Sequence, residues 1–129
     1  MNTYKNSPEP LLEGFSPLKD IVQDLRKGRM VMVTDDKDRE NEGDLVFAAE
    51  FASPEKINFM AKYGRGLICV PMIKERLDKL GLSPMVKHNS DSFDTAFTIS
   101  VDAGRNITTG ISAYDRAFTA KTLANPNAT

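Results

Sequence analysis

Six carboxylates and two cations stand within ten consecutive residues, Asp35-Asp36-Lys37-Asp38-Arg39-Glu40-Asn41-Glu42-Gly43-Asp44. The tract carries a local charge of −4 in a chain whose total is −1. Carboxylates packed this densely raise one another's pKa unless a cation neutralises them. Oxygen-rich clusters also favour hard ions such as Mg²⁺, Mn²⁺ or Ca²⁺. The group therefore suits proton transfer beside a divalent metal, and it equally suits a solvated surface loop. A calcium EF-hand is testable on the residues themselves. With Asp38 at the first position, Glu40, Glu42 and Gly43 fall on register, but the twelfth position is Ala49 where a bidentate glutamate is required. The EF-hand is rejected.

Other chemistry-bearing residues are few. Cys69 is the single cysteine, closing the apolar run Leu67 to Val70; a lone thiol there reads first as a small core hydrophobe. Thr108-Thr109-Gly110 precedes a helix start and could present backbone N–H groups to an anion, or simply cap the helix. His88, the single histidine, lies in the polar stretch Lys87-His88-Asn89-Ser90 and reads as a surface residue.

These residues must be positioned by the elements around them. Ser16-Pro17 offers an N-cap and a proline at the first helical position. Leu18, Ile21, Val22 and Leu25 then form one helical face, and Gly28 suits a left-handed stop. Met30–Thr34 lacks alternation, which predicts a strand buried on both faces. The acidic tract has nothing apolar to bury and is a loop. Leu45–Ala49 is strand-like. Ser53-Pro54 caps a short helix with Ile57, Met60 and Ala61 on one face, stopped by Gly64. Leu67–Val70 is strand-like up to Pro71, and Ile73–Leu80 is helical up to Gly81. Met85–Asp94 is a polar loop. Phe97, Ile99 and Val101 alternate with Thr98 and Ser100, as in a half-buried strand. Ser112 with Asp115 has capping-box spacing and opens a last helix through Ala124. Residues 125–129 look like a loop between elements, which suggests a piece of a longer protein. Residues 1–15 read as a flexible arm, and residues 16–129 as one incomplete domain of α+β (mixed α/β) class.

The whole-chain composition is that of an ordinary globular protein, with 40% hydrophobic and 27% charged residues among 129. The charge balance gives no basic footprint for nucleic acid. No apolar run approaches the ~20 residues of a membrane helix. Met1–Pro10 lacks the basic and apolar regions of a signal peptide, and one cysteine gives no intrachain disulfide. The expectation is a cytoplasmic protein with no nucleic-acid or membrane partner.

At the acidic tract the sequence becomes recognisable. Asp35 through Leu45 resembles the signature of 3,4-dihydroxy-2-butanone 4-phosphate synthase, an enzyme of riboflavin biosynthesis. Gly66-Leu67-Ile68-Cys69-Val70-Pro71 and Thr108-Thr109-Gly110-Ile111-Ser112-Ala113-Tyr114-Asp115-Arg116 resemble the same family, in the same order. The resemblance runs from about Ser16 to the last residue. It implies a lyase that converts D-ribulose 5-phosphate to 3,4-dihydroxy-2-butanone 4-phosphate and formate with Mg²⁺ or Mn²⁺. It also implies a homodimer and a three-layer sandwich around a mixed sheet, here truncated at the C-terminal end.

Carried residue by residue, the resemblance makes Arg39, Glu40, Asp44 and Thr109 substrate contacts and Glu40 the metal-binding glutamate. Glu40, Glu42, Asp44 and Cys69 become the catalytic candidates, with Glu42 a proton shuttle. The family's C-terminal half is also expected to supply histidines in Gly-His-Thr and Arg-Pro-Gly-His segments, and these 129 residues contain neither. A second reading follows from that difference: a non-catalytic acidic binding module that retains the fold.

Overall fold

A computed structural model describes residues 14–129; the expected arm, 1–15, lies outside them except for its last two residues. Helix α1 spans Leu18–Arg26. Its N-cap is Pro17 rather than Ser16, and the Pro17 carbonyl accepts from the N–H groups of Asp20 and Ile21 at 2.9 and 3.2 Å. Gly28 then adopts φ +70°, as its type and position predict. A Cβ at that site would lie 2.6 Å from Cγ of Phe51, so glycine is required by conformation and by space.

Strands β1 (Val31–Thr34) and β2 (Gly43–Val46) pair antiparallel, with Val31 opposite Val46 and Val33 opposite Asp44. This hairpin is the only sheet among the described residues. The expectation of a strand buried on both faces is not met in β1. Val31 is buried, but Met32 and Val33 are 67% and 48% exposed, because no layer among the described residues covers them. The second strand also begins two residues earlier than the apolar run suggested, since backbone pairing starts at Gly43 and not at the first apolar side chain.

After a single 3₁₀ turn at Ala49–Phe51, Ser53 caps α2 (Pro54–Phe59), accepting from the Lys56 N–H at 3.3 Å. The helix widens into a π turn over Met60–Gly64 and stops at Arg65 in the left-handed conformation, one residue beyond the expected stop at Gly64. Helix α3 covers Lys74–Leu80 and ends on Gly81 at φ +67°. Helix α4 runs from Ala113 to Ala124 with Ser112 as N-cap.

The core lies where α2 meets α4. Ala52, Ile57, Ala117 and Ala120 are buried together, with Phe47, Ile68, Val70 and Ala113 packed against them. Polar side chains fasten the periphery. Lys56 Nζ donates to the carbonyls of Gly28 and Phe51 at 2.6 and 2.9 Å, and lies over the Phe47 ring. Arg76 on α3 donates to the Leu123, Asn125 and Ala128 carbonyls, which join α3 to the C-terminal end of α4.

The class is α+β, as the sequence predicts. The expected mixed sheet is smaller: Leu67–Val70 is unpaired, and Phe97–Val101 contributes one isolated bridge, Thr98 with Pro84. Phe97 and Ile99 remain 46% and 44% exposed. A strand needs a neighbouring strand for its backbone groups; Leu67–Val70 has none among the described residues, and Phe97–Val101 has only residues 83–85, where the Met85 N–H donates to the Phe97 carbonyl at 2.9 Å and the Ile99 N–H to the Ser83 carbonyl at 3.1 Å. No helix among them is long and apolar enough to cross a membrane.

Candidate active site

The acidic loop is ordered from within by one carboxylate. Asp35 Oδ1 accepts from the Glu42 N–H at 2.8 Å, and Oδ2 accepts from the Glu40 N–H at 2.8 Å and from Arg39 Nη1 at 3.0 Å. The Asp35 N–H in turn donates to the Glu42 carbonyl at 3.3 Å, closing the loop above β1 and β2. Asp36 Oδ1 accepts from the Asp38 N–H at 2.9 Å, an Asx turn of the kind Asp favours. Asn41 takes φ +53°, a conformation its short polar side chain tolerates.

The electrostatic consequence falls on Asp35. The N–H of Glu42 first, then that of Glu40, and further the Arg39 guanidinium hold its carboxyl below the usual aspartate value. The same ion pair raises Arg39 further. Arg39 Nη1 also donates to Glu40 Oε2 at 2.8 Å, whereas its Nη2 and Nε make no hydrogen bond among the described residues. The guanidinium carbon sits 5.6 Å from the centre of the Phe93 ring.

Arg39, Glu40, Glu42 and Asp44 thus share one exposed hairpin end, with Arg39 and Glu40 in direct contact. Cys69 is elsewhere in character from the buried thiol expected: it is exposed, while its neighbours Ile68 and Val70 turn toward the core. Thr109 is exposed between two anchored residues. Asp115, 1% exposed, accepts from the Thr108 N–H and hydroxyl at 3.1 and 2.7 Å and from the Gly110 N–H at 3.1 Å. The Asp115 N–H donates to Ser112 Oγ at 3.0 Å, so the capping spacing is real, but the carboxylate serves the preceding loop instead of the cap. Gly110 has φ +83°, and a Cβ there would overlap the Asp102 carboxylate. His88 is exposed in its loop, as expected. No hydrogen bond joins Cys69 or Thr109 to the acidic loop among the described residues.

As a metal centre the site is partial. Glu40 offers a hard oxygen donor, but one of its oxygens is engaged by Arg39. No three His, Cys, Asp or Glu side chains gather to hold an ion among the described residues. The residues present therefore fit part of a Mg²⁺ donor set and not a whole one.

The family model for 3,4-dihydroxy-2-butanone 4-phosphate synthase matches residues 19–129. The chain belongs to that synthase family. A 3,4-dihydroxy-2-butanone 4-phosphate synthase of Neisseria meningitidis serogroup B is 52% identical over 114 residues, covering 88% of this chain and 31% of that protein. The riboflavin biosynthesis protein RibBA of Aquifex aeolicus is 54% identical over 116 residues, covering 88% of this chain and 29% of that protein. A crystal structure of a 3,4-dihydroxy-2-butanone 4-phosphate synthase in complex with two magnesium ions superposes with a TM-score of 0.87 at 46% identity, over 89% of this chain and 54% of that one. The chain thus spans about three-tenths of the length of these two curated relatives. Within the synthase family frame, the sequence reading missed Asp35 as the residue that orders the loop, and Asp115 as the residue that orders Thr108–Gly110. The first signal was present, an aspartate four residues before an arginine. The second, Ser112 with Asp115, points in sequence to capping alone.

Proposed function

We propose that the chain carries the acidic half of a site that converts D-ribulose 5-phosphate to 3,4-dihydroxy-2-butanone 4-phosphate and formate in riboflavin biosynthesis. The observation that carries this reading is the Asp35-ordered loop, which holds Arg39 against Glu40 and leaves Glu42 and Asp44 exposed beside them. Proton transfer at carbons flanked by hydroxyl and carbonyl groups needs carboxylates held in place before substrate arrives.

In this reading Arg39 binds substrate through the donors its own loop leaves unused. Glu40 and Asp44 contact the sugar hydroxyls, Glu42 moves a proton, Thr109 presents donors to substrate, and Cys69 borders the site. Mg²⁺ or Mn²⁺, when bound, polarises adjacent substrate oxygens; Glu40 is the ligand proposed from this chain, and the remaining donors come from outside the described cluster. The exposed apolar residues Leu67, Ile73, Ile111 and Tyr114 support further packing, as a cytoplasmic homodimer and as a three-layer sandwich in which Leu67–Val70 and Phe97–Val101 gain strand neighbours.

One observation favours a second reading, the non-catalytic acidic binding module: the lack of three gathered metal donors among the described residues. Formate release from D-ribulose 5-phosphate with Mg²⁺ separates the two. With the remaining donors supplied by the C-terminal part of a curated relative fused to this chain, the proposed function expects release that depends on Mg²⁺ and is abolished in Glu40→Gln with the melting temperature unchanged. Ribulose 5-phosphate binding with no formate from that fusion supports the binding module.

A further inference from the structure

We propose that Phe93 is a positioning residue for Arg39, delivered to it by a side-chain-built platform in the loop 89–95. The inference rests on the reading of Arg39 as a substrate contact and adds to it a residue from a loop with no assigned role.

Arg39 is restrained along its own loop by Asp35 and Glu40, both reached through Nη1. A single nitrogen held by two acids fixes one corner of the guanidinium and leaves its plane free to turn. Phe93 supplies the missing restraint from 54 residues downstream. Its ring centre lies 5.6 Å from the guanidinium carbon, within the reach of a cation–π contact. The ring covers one face of the guanidinium, while Nε and Nη2 make no hydrogen bond among the described residues.

The platform that carries Phe93 is built by two side chains. Asp91 Oδ2 accepts from the Phe93 N–H at 3.2 Å and the Thr95 N–H at 2.9 Å. Asn89 Oδ1 accepts from the Asp91 N–H at 3.0 Å, and Asn89 Nδ2 donates to the Thr95 carbonyl at 3.0 Å. These bonds hold in place a loop that buries little, and they explain how a phenylalanine 47% exposed keeps a defined place. Opposite the Arg39 cation the half-exposed ring gains an electrostatic contact.

The test reads Arg39 directly, by NMR of the whole chain, alongside titration with D-ribulose 5-phosphate. The expected result is an Arg39 Nε–Hε signal shifted by the ring in the unaltered chain. In Phe93→Leu that shift disappears, Arg39 becomes more mobile and affinity falls about two- to fivefold, the size of an exposed cation–π contact. Phe93→Tyr, which keeps the ring, restores all three. Because leucine retains the apolar bulk, a merely structural role for Phe93 predicts no difference between the Leu and Tyr variants, and that result overturns the proposal. Should the unaltered chain fail to bind ribulose 5-phosphate, the failure falls on the proposed function; the Arg39 signal alone then decides, and an unmoved signal in Phe93→Leu overturns the positioning role.

Discussion

Asp115 and Thr108 are joined twice, hydroxyl to carboxylate at 2.7 Å and N–H to carboxylate at 3.1 Å, at the entrance to α4. The Gly110 N–H completes the set on the same carboxylate. The donors of Thr108 and Gly110 are thereby consumed, whereas Thr109 between them makes no such bond among the described residues, although both threonines are exposed. A buried acid on the helix thus decides which of the two threonines has its donors engaged.

Asp115→Ala removes the acceptor and leaves three donors without their partner, an asymmetric loss that costs more than the bonds contributed. The expected outcome is a melting temperature lowered by at least about 5 °C, the scale of a serious single-site loss in a domain of this size. Thr108→Val, which deletes one hydroxyl and keeps the shape, lowers it less. Calorimetry of the two variants checks this, and equal effects contradict it.

Acidification isolates Asp35. Its carboxyl titrates below the ordinary 3.8 in the folded chain because the Glu42 and Glu40 N–H groups and Arg39 favour the charged form. A folded value below the unfolded one means that the stabilisation is complete above the unfolded value and is lost as pH falls through the folded one. The amide signals of Glu40 and Glu42 are therefore expected to share one transition whose midpoint lies below 3.8, distinct from any movement caused by their own carboxyls. In Asp35→Asn the same signals are displaced already at neutral pH. A joint transition in the unaltered chain above 3.8 refutes this role for Asp35.

Gly28→Ala meets two obstacles at once, φ +70° and a Cβ 2.6 Å from Phe51 Cγ. The combined cost is about 2–4 kcal/mol in urea unfolding, from an incompatible backbone and an overpacked contact. Adding Phe51→Ala relieves the contact but not the conformation, so Gly28→Ala in that background costs only about 1–2 kcal/mol. A cost unchanged by the second substitution shows that the ring does not matter.

Local features were legible in the residues. The Ser53-Pro54 and Ser112 starts, the glycine stops at Gly28 and Gly81 and the loop from Asp35 to Asp44 follow from capping, φ and the lack of anything apolar to bury. Each depends on atoms within a few residues, so sequence suffices. The resemblance at Asp35–Leu45 likewise pointed to the family through contiguous residues. Ser16 falls one residue outside the cap because the first intrahelical bonds are accepted by the Pro17 carbonyl.

What sequence alone determined, then, is the set of helices, the acidic hairpin end and the family. Tertiary structure decided which apolar runs became strands, since pairing depends on a neighbour and not on the run: Met30–Thr34 found one in Gly43–Val46, whereas Leu67–Val70 did not. It also decided that Cys69 points outward while Ile68 and Val70 point in. And it decided the partnerships of the site, Phe93 over Arg39 and Asp115 beneath Thr108. An exposed ring and a buried acid acquire their meaning only from the groups that folding brings against them.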